Sequence, residues 1–170
     1  MTEELLIQFP EIIENGCLKS INNKHSFIFD DNETKKGVFV TAHDKFHLHV
    51  EKNHSKSLNF IQNDSCVMNS DNGKQCDYVL FDNEKVCFSE IKATKENLSN
   101  RRKDALKQLE NTIKFYFENN LFKNYQSKNA LITFDNNKRI APQASKSTKT
   151  KEFKVKYDVN LNEGNYILFE

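Results

Sequence analysis

Residues 76–92 read CDYVLFDNEKVCFSEIK, and this stretch decides the fold. Two apolar runs rich in strand-forming residues flank a short polar break, a pattern that predicts a β-hairpin. A loop of either two or four residues gives one register, in which Val79 lies opposite Phe88 and Asp77 lies opposite Glu90. A loop of odd length would turn one strand over and separate the two carboxylates, so this prediction depends on register.

Charged side chains stand at the outer end of this hairpin, namely Asp77, Glu90 and Lys92. Side chains alternate along a strand, so Lys92 shares the face of Glu90. Two ionised carboxylates at cross-strand distance repel each other unless a cation lies between them. Mg2+ suits that position, because it takes one or two carboxylates together with waters and phosphate oxygens. The three residues predict a site for a divalent cation and a phosphodiester; the alternative is a partly buried salt bridge at a sheet edge.

Both faces of the hairpin are mainly apolar, and a hairpin of this kind belongs inside a sheet that is covered on both sides. One face carries Val79, Phe81, Val86 and Phe88, and the other carries Tyr78, Leu80, Cys87 and Ile91. The expected fold is therefore α/β, with a central mixed β-sheet and helices on both sides.

Asp77 followed by Glu90-Ile91-Lys92 resembles the motif of the PD-(D/E)XK nuclease superfamily. A long amphipathic helix that contains Gln108 follows the hairpin, and a strand predicted at 130–134 follows the helix. This is the strand–strand–helix–strand order of the superfamily core, and the resemblance covers about residues 75–135. The chain departs from the pattern at Cys76, where the motif name has proline, and at Thr112, where the glutamine-containing branch usually has tyrosine.

The resemblance implies a restriction-endonuclease-like fold and metal-dependent hydrolysis of phosphodiester bonds. Asp77, Glu90 and the carbonyl of Ile91 would hold Mg2+, for which Mn2+ is a substitute. Lys92 would lie near the attacking water, and Gln108 would steady the site from the helix. DNA is implied ahead of RNA as the substrate, and the small size implies a homodimer or a partner protein in a defence complex.

Other acids and histidines upstream offer further candidates. Many members of the superfamily supply another acid from upstream, and Glu33 and Glu51 are the candidates here. Histidines are also crowded between residues 43 and 54. His47, His49 and Glu51 share one face of a predicted strand, a spacing that could hold a transition metal. The alternative is an exposed strand rich in polar residues.

Basic residues follow the motif. Phosphate contacts dominate nucleic-acid affinity, so a backbone-binding surface is predicted around the start of the long helix. Its candidate residues are Lys95, Arg101 and Arg102, and a further candidate is Arg139 in the polar stretch after residue 134. The alternative is an ordinary solvated helix face. A second basic stretch alternates lysine with Phe153, Val155 and Tyr157. It predicts either an edge strand protected from aggregation by lysine or a mobile loop that orders on DNA.

Length and composition set the limits of these hypotheses. The chain has 170 residues and a net charge of +1, which fits one domain over residues 1–170 and excludes a polycation. Neither a secretion signal nor a membrane span is expected. The four cysteines show no metal-site spacing and are expected to be reduced, as in a cytoplasmic protein. The alternatives to a nuclease are an inactive nucleic-acid-binding or assembly module of the same fold and a histidine-based metal-binding protein.

Overall fold

The computed structural model describes residues 1–31, 33–34, 36–53, 57–68, 73–94, 96–135, 140–145 and 148–170. The helices of these ranges are α1 (Thr2–Gln8), α2 (Glu11–Glu14), α3 (Leu98–Glu118) and α4 (Lys149–Tyr157). The first six strands are β1 (Leu18–Ile21), β2 (His25–Asp31), β3 (Lys36–Val40), β4 (Leu48–Lys52), β5 (Leu58–Gln62) and β6 (Tyr78–Phe81). The remaining strands are β7 (Lys85–Lys92), β8 (Ser127–Phe134), β9 (Gln143–Ala144), β10 (Asn160–Glu163) and β11 (Tyr166–Phe169).

The hairpin forms from β6 and β7 in the predicted register. Val79 lies opposite Phe88, and the same register extended by one position beyond β6 sets Asp77 opposite Glu90. Asp82 stabilises the turn, because its Oδ1 accepts hydrogen bonds from the backbone N–H groups of Glu84 and Lys85, at 2.8 and 2.6 Å. Such Asx-type bonds are a common way to close a short turn. The register prediction is confirmed.

Helix α3 connects β7 to β8, and these two strands pair in parallel with Glu90 beside Ile132. The strand–strand–helix–strand order predicted for this region is therefore confirmed. The helix is amphipathic, as predicted, and the stripe that it buries consists of Ala105, Leu106, Leu109, Thr112, Ile113 and Tyr116. The helix N-cap is Asn97, with φ of 52° and no side-chain capping bond. Asn is among the residues that most readily adopt this left-handed conformation.

The seven-stranded mixed sheet has the order β1-β5-β6-β7-β8-β10-β9. On one face its apolar side chains pack against residues from all four helices, such as Leu5, Ile12, Ile113 and Phe153. The α/β class with a mixed sheet is therefore confirmed for the described residues.

The other face of this sheet is covered by a second sheet of four strands, in the order β11-β4-β2-β3. Ile28, Val50 and Ile167 from the second sheet pack with Leu80 and Cys87 of the hairpin. The expectation of helices on both sides is therefore wrong. An apolar sheet face requires an apolar cover, and a strand layer with alternating burial supplies one as well as a helix does.

Residues 153–157 form the end of helix α4, so the predicted edge strand is wrong. Phe153 and Tyr157 are buried at 1% and 4% exposure, whereas Val155 between them is 87% exposed. Burial at positions four apart is the helical pattern, and a strand would have buried all three side chains on one face.

Cys17 and Cys66 form a disulfide, with their Cα atoms 6.0 Å apart, so the expectation of four reduced cysteines is wrong for this pair. The fold brings together the residue before β1 and the turn that follows β5. Cys76 and Cys87 are reduced and buried, as expected for small apolar residues in the hairpin. No helix in the described part of the chain is long and apolar enough to cross a membrane.

Candidate active site

A cleft of about 260 Å³ opens to solvent at the end of the hairpin. The five residues assigned to the site from the sequence all line it: Asp77, Glu90, Ile91, Lys92 and Gln108. Asp77 stands just before β6, Glu90 and Lys92 stand at the end of β7, and Gln108 reaches in from α3. The strand register and the crossover helix together therefore bring these residues to one place.

Lys92 is held between two partners. Its Nζ lies 2.5 Å from Glu90 Oε1 and donates a hydrogen bond of 2.6 Å to Gln108 Oε1. The amide of Gln108 in turn donates from Nε2 to the carbonyl oxygen of Gln75 at 2.9 Å. Because the amide is fixed on both sides, the ammonium group keeps a defined place in the cleft.

Asp77 is half-buried, and its Oδ2 accepts the backbone N–H of Ile91 at 2.7 Å. Burial raises the pKa of Asp77 to about 7, against the lowering effect of that N–H. Glu90 is 1% exposed, and burial followed by the charge of Asp77 raises its pKa well above the ordinary value, while Lys92 opposes the rise. One ammonium group does not offset two desolvated carboxylates.

The donor set fits a hard divalent cation. Glu90 Oε1 faces Lys92, and both oxygens of this carboxylate are buried. A buried carboxylate is costly unless a cation or hydrogen-bond donors offset its charge. Asp77 and the Ile91 backbone lie in the same open cleft, so oxygen ligands and access for solvent are both present.

Asp30, at the end of β2 in the second sheet, also lines the cleft and was not predicted. It accepts a hydrogen bond of 2.6 Å from the Tyr78 hydroxyl group, and its charge contributes to the raised pKa of Asp77. The expected upstream acids lie elsewhere: Glu33 is exposed in a turn beside Asp31, and Glu51 stands near His25. The sequence signal that could have found Asp30 is an acid at the end of a strand with alternating apolar residues.

The two arginines of α3 have different surroundings. Arg101 is exposed and lines the cleft. Arg102 forms a bidentate ion pair with Glu163, at 2.9 Å for each bond, and lies over the Phe134 ring. Arg102 thus packs α3 against β10 and β8. The other two candidates, Lys95 and Arg139, lie outside the described residues.

The histidines do not group as expected. His47 Nδ1 accepts the backbone N–H of Asp30 at 3.0 Å, and burial lowers the pKa of this imidazole. His49 instead meets His25 of β2, at 3.3 Å between ring nitrogens. His49 therefore pairs with His25, and the prediction that His47 and His49 act together as ligands is wrong. His54 lies outside the described residues.

Searches of the chain against family models, curated proteins and solved structures found no match.

Proposed function

We propose that this protein is a Mg2+-dependent nuclease of the PD-(D/E)XK type, with a restriction-endonuclease-like core, that hydrolyses phosphodiester bonds in DNA. The observation that carries the proposal is the meeting of Asp77, Glu90 and Lys92 in one cleft open to solvent. The crossover β7–α3–β8 and the placement of Gln108 support it. The preference for DNA rests on the resemblance to the superfamily.

Asp77 and Glu90, with the backbone of Ile91, would hold the Mg2+ ion, and Mn2+ would substitute for it. When bound, the ion supplies Lewis-acid polarisation of the phosphate and a lowered pKa for bound water. The two carboxylates must be ionised to bind the ion. Binding of the ion then offsets the repulsion between their charges.

Lys92 has a role that follows from its contacts. Its hydrogen bond to Gln108 does not depend on Glu90, so the ammonium group stays in the cleft when the carboxylate turns to a cation. There it can stabilise negative charge on a phosphate oxygen or, at Nζ, exchange a proton with an attacking water. Gln108 is a positioning residue, since its contacts are with Lys92 and Gln75.

Substrate binding needs cations beyond the metal. Arg101 lines the cleft and would contact a phosphate of the bound backbone. Lys95 and Arg139 are proposed, from the sequence alone, to contact the same phosphate backbone of the substrate. We also infer from the small size of the chain that it acts as a homodimer or with a partner protein of a defence complex.

A cleavage assay tests the proposal. Purified protein is incubated with plasmid, single-stranded DNA or RNA in Mg2+, Mn2+ or chelator. Wild-type protein should cleave DNA only with metal. Asp77→Asn, Glu90→Gln and Lys92→Met should each lose about 1000-fold or more, because electrostatic groups of this kind contribute several kcal/mol to the transition state.

Glu96→Gln is the matched control, since Glu96 is exposed and follows the motif without lining the cleft. Full cleavage by the three site variants would overturn the proposal. The alternative is the inactive binding module of the same fold. It would be favoured if the protein bound DNA but cleaved none with either metal, and if Lys92→Met left DNA binding unchanged.

A further inference from the structure

Two histidines and a glutamate meet on the second sheet, on the side opposite the core between the sheets. His25 begins β2 and lies beside Glu51 of β4 in the antiparallel ladder. His49 stands two residues before Glu51 and so shares its face. The core side of the same strands carries Ile28, Leu48 and Val50, which leaves the His25, His49 and Glu51 side chains outside the core.

One separation between the ligand atoms equals that of a tetrahedral metal site, and the others are wider. His25 Nδ1 lies 3.3 Å from His49 Nε2 and 3.8 Å from Glu51 Oε2. Ligands at the usual zinc–nitrogen distance of about 2.0–2.1 Å stand roughly 3.3 Å apart in a tetrahedron. One atom from each of the three residues lies within 4.8 Å of the other two, so a small ion between them needs only minor side-chain rotation.

Neighbouring side chains hold the three residues in place. The Tyr166 hydroxyl group of β11 donates a hydrogen bond of 2.8 Å to Glu51 Oε2. The His49 ring stacks on Phe27, with 4.5 Å between ring centroids. Outer contacts of this kind fix the orientation of metal ligands and are part of a working site.

The exposure of the cluster allows an ion to enter. His49 is buried at 7% exposure, whereas the His25 side chain is 44% exposed and forms the solvent side of the cluster. Two imidazoles and one carboxylate with a solvent-facing position form a donor set that zinc uses when it keeps a fourth position open. The donor set differs from that of the acid cleft, where oxygen ligands favour Mg2+.

We propose that His25 Nδ1, His49 Nε2 and Glu51 Oε2 form a binding site for a transition-metal ion of the zinc class, with water in the fourth position. The ion joins the start of β2 to β4 and replaces the contact between the two ring nitrogens. This site is separate from the proposed nuclease centre and does not depend on the activity of that centre.

The test is a calorimetric titration of metal-free protein with Zn2+ in excess Mg2+, which keeps the oxygen ligands of the cleft occupied. Wild-type protein should bind one equivalent, and Co2+ in place of Zn2+ should give the visible absorption of a tetrahedral ion. His25→Ala removes a ligand at an exposed position and should weaken binding on the order of 100-fold or more. Tyr166→Phe should weaken it about 10-fold, as for other outer contacts.

Two matched controls separate this proposal from the others. His43→Ala removes an exposed histidine outside the cluster, and Glu90→Gln alters the acid cleft. Both should bind Zn2+ as wild-type protein does. The proposal is overturned if wild-type protein binds no Zn2+, if His25→Ala binds it unchanged, or if Glu90→Gln abolishes binding. Circular dichroism of each variant confirms that the fold is kept.

Discussion

The Lys92 ammonium group lies 2.5 Å from Glu90 Oε1, and this carboxylate is 1% exposed. The lysine therefore offsets the less accessible of the two acids, while Asp77 stands nearer to solvent with its pKa raised to about 7. When both carboxyl groups are ionised, the pair carries more negative charge than the Lys92 ammonium group offsets. This imbalance is the physical reason to expect a metal ion, and it determines how the protein should respond to mutation and pH.

Replacing Lys92 with methionine should destabilise the fold in a pH-dependent way. Removal of one partner leaves the ionised form of Glu90 buried without its counter-ion, at a cost of about 3 kcal/mol. The cost should be smaller at pH 5 than at pH 8, because protonation of the carboxyl group removes the unpaired charge. Urea denaturation at the two pH values measures the difference. Lys103→Met, at an exposed position of the same helix that carries Gln108, is the control, and an equal loss in both variants would contradict the prediction.

Stability should fall as pH rises through the titration of Asp77. Its pKa is raised from 3.8 to about 7, so the folded protein holds this proton more tightly than the unfolded chain does. The contribution to the free energy of unfolding is then full below about pH 4 and is lost as pH rises through 7. Glu90 acts in the same direction. Asp77→Asn should flatten the wild-type curve over this range, as measured by denaturation at a series of pH values.

The effect of Mg2+ on the thermal stability of the protein should also depend on pH. It binds the ionised carboxylates of the folded protein, so it should raise the Tm at pH 8 and have little effect at pH 5. Asp44→Asn is the control. The pKa of this exposed acid is lowered, so its contribution to the stability of the fold is lost only in acid. An identical Mg2+ response at the two pH values would contradict the assignment of the metal to the acid pair.

Asp30→Asn should weaken Mg2+ binding and reduce cleavage, although Asp30 belongs to the second sheet. The substitution removes a negative charge from the cleft and weakens the acceptor of the Tyr78 hydroxyl group. A 10- to 100-fold loss of Mg2+ affinity is about what such supporting groups contribute. Glu33→Gln should be neutral, because Glu33 is exposed outside the cleft. Equal effects of the two changes on a Mg2+ titration of activity would exclude a role for Asp30.

Arg101 and Arg102 should differ although they are neighbours in the sequence. Arg101→Ala should weaken DNA binding and reduce the slope of log affinity against log salt by about 1, as for loss of one phosphate contact. Arg102→Ala should leave that slope unchanged and lower stability by about 1 kcal/mol through loss of the Glu163 pair. Fluorescence anisotropy over a salt series and thermal unfolding give the two readouts, and a reversed pattern would contradict the assignment.

The disulfide should contribute to stability under oxidising conditions. Cys17 and Cys66 are 49 positions apart, and closure of a loop of that length contributes about 4 kcal/mol in the chain-entropy model. Reductant should therefore lower the wild-type Tm. The Cys17→Ser/Cys66→Ser double variant should be insensitive to reductant, since Cys76 and Cys87 are already free thiols. An unchanged wild-type Tm in reductant would show that the bond does not stabilise the fold.

The hairpin and its site could be predicted because the information is local. The loop length and the period of two set Asp77 opposite Glu90, and the helical stripe from Ala105 to Tyr116 identifies the packed face of α3. Residues 153–157 show the limit of such patterns. Phe, Val and Tyr at alternate positions fit a strand, but packing buries Phe153 and Tyr157 in a helix.

Long-range placement could not be predicted. Asp30 enters the cleft because β2 lies in a sheet that covers the hairpin, and a single strand does not indicate which sheet it joins. His25 meets His49 through the pairing of β2 with β4, across more than twenty residues of chain. The Cys17–Cys66 bond depends on the same kind of long-range contact, because the two cysteines are 49 positions apart in the chain.

The sequence by itself determined the hairpin register, the crossover helix and the acids and lysine at the hairpin end, because each follows from periodicity over a few neighbouring residues. The tertiary structure alone decided which layer covers the second face, which acid joins the cleft and which histidines meet. These outcomes depend on how apolar faces distant in the chain pack together, and that packing is a property of the whole core.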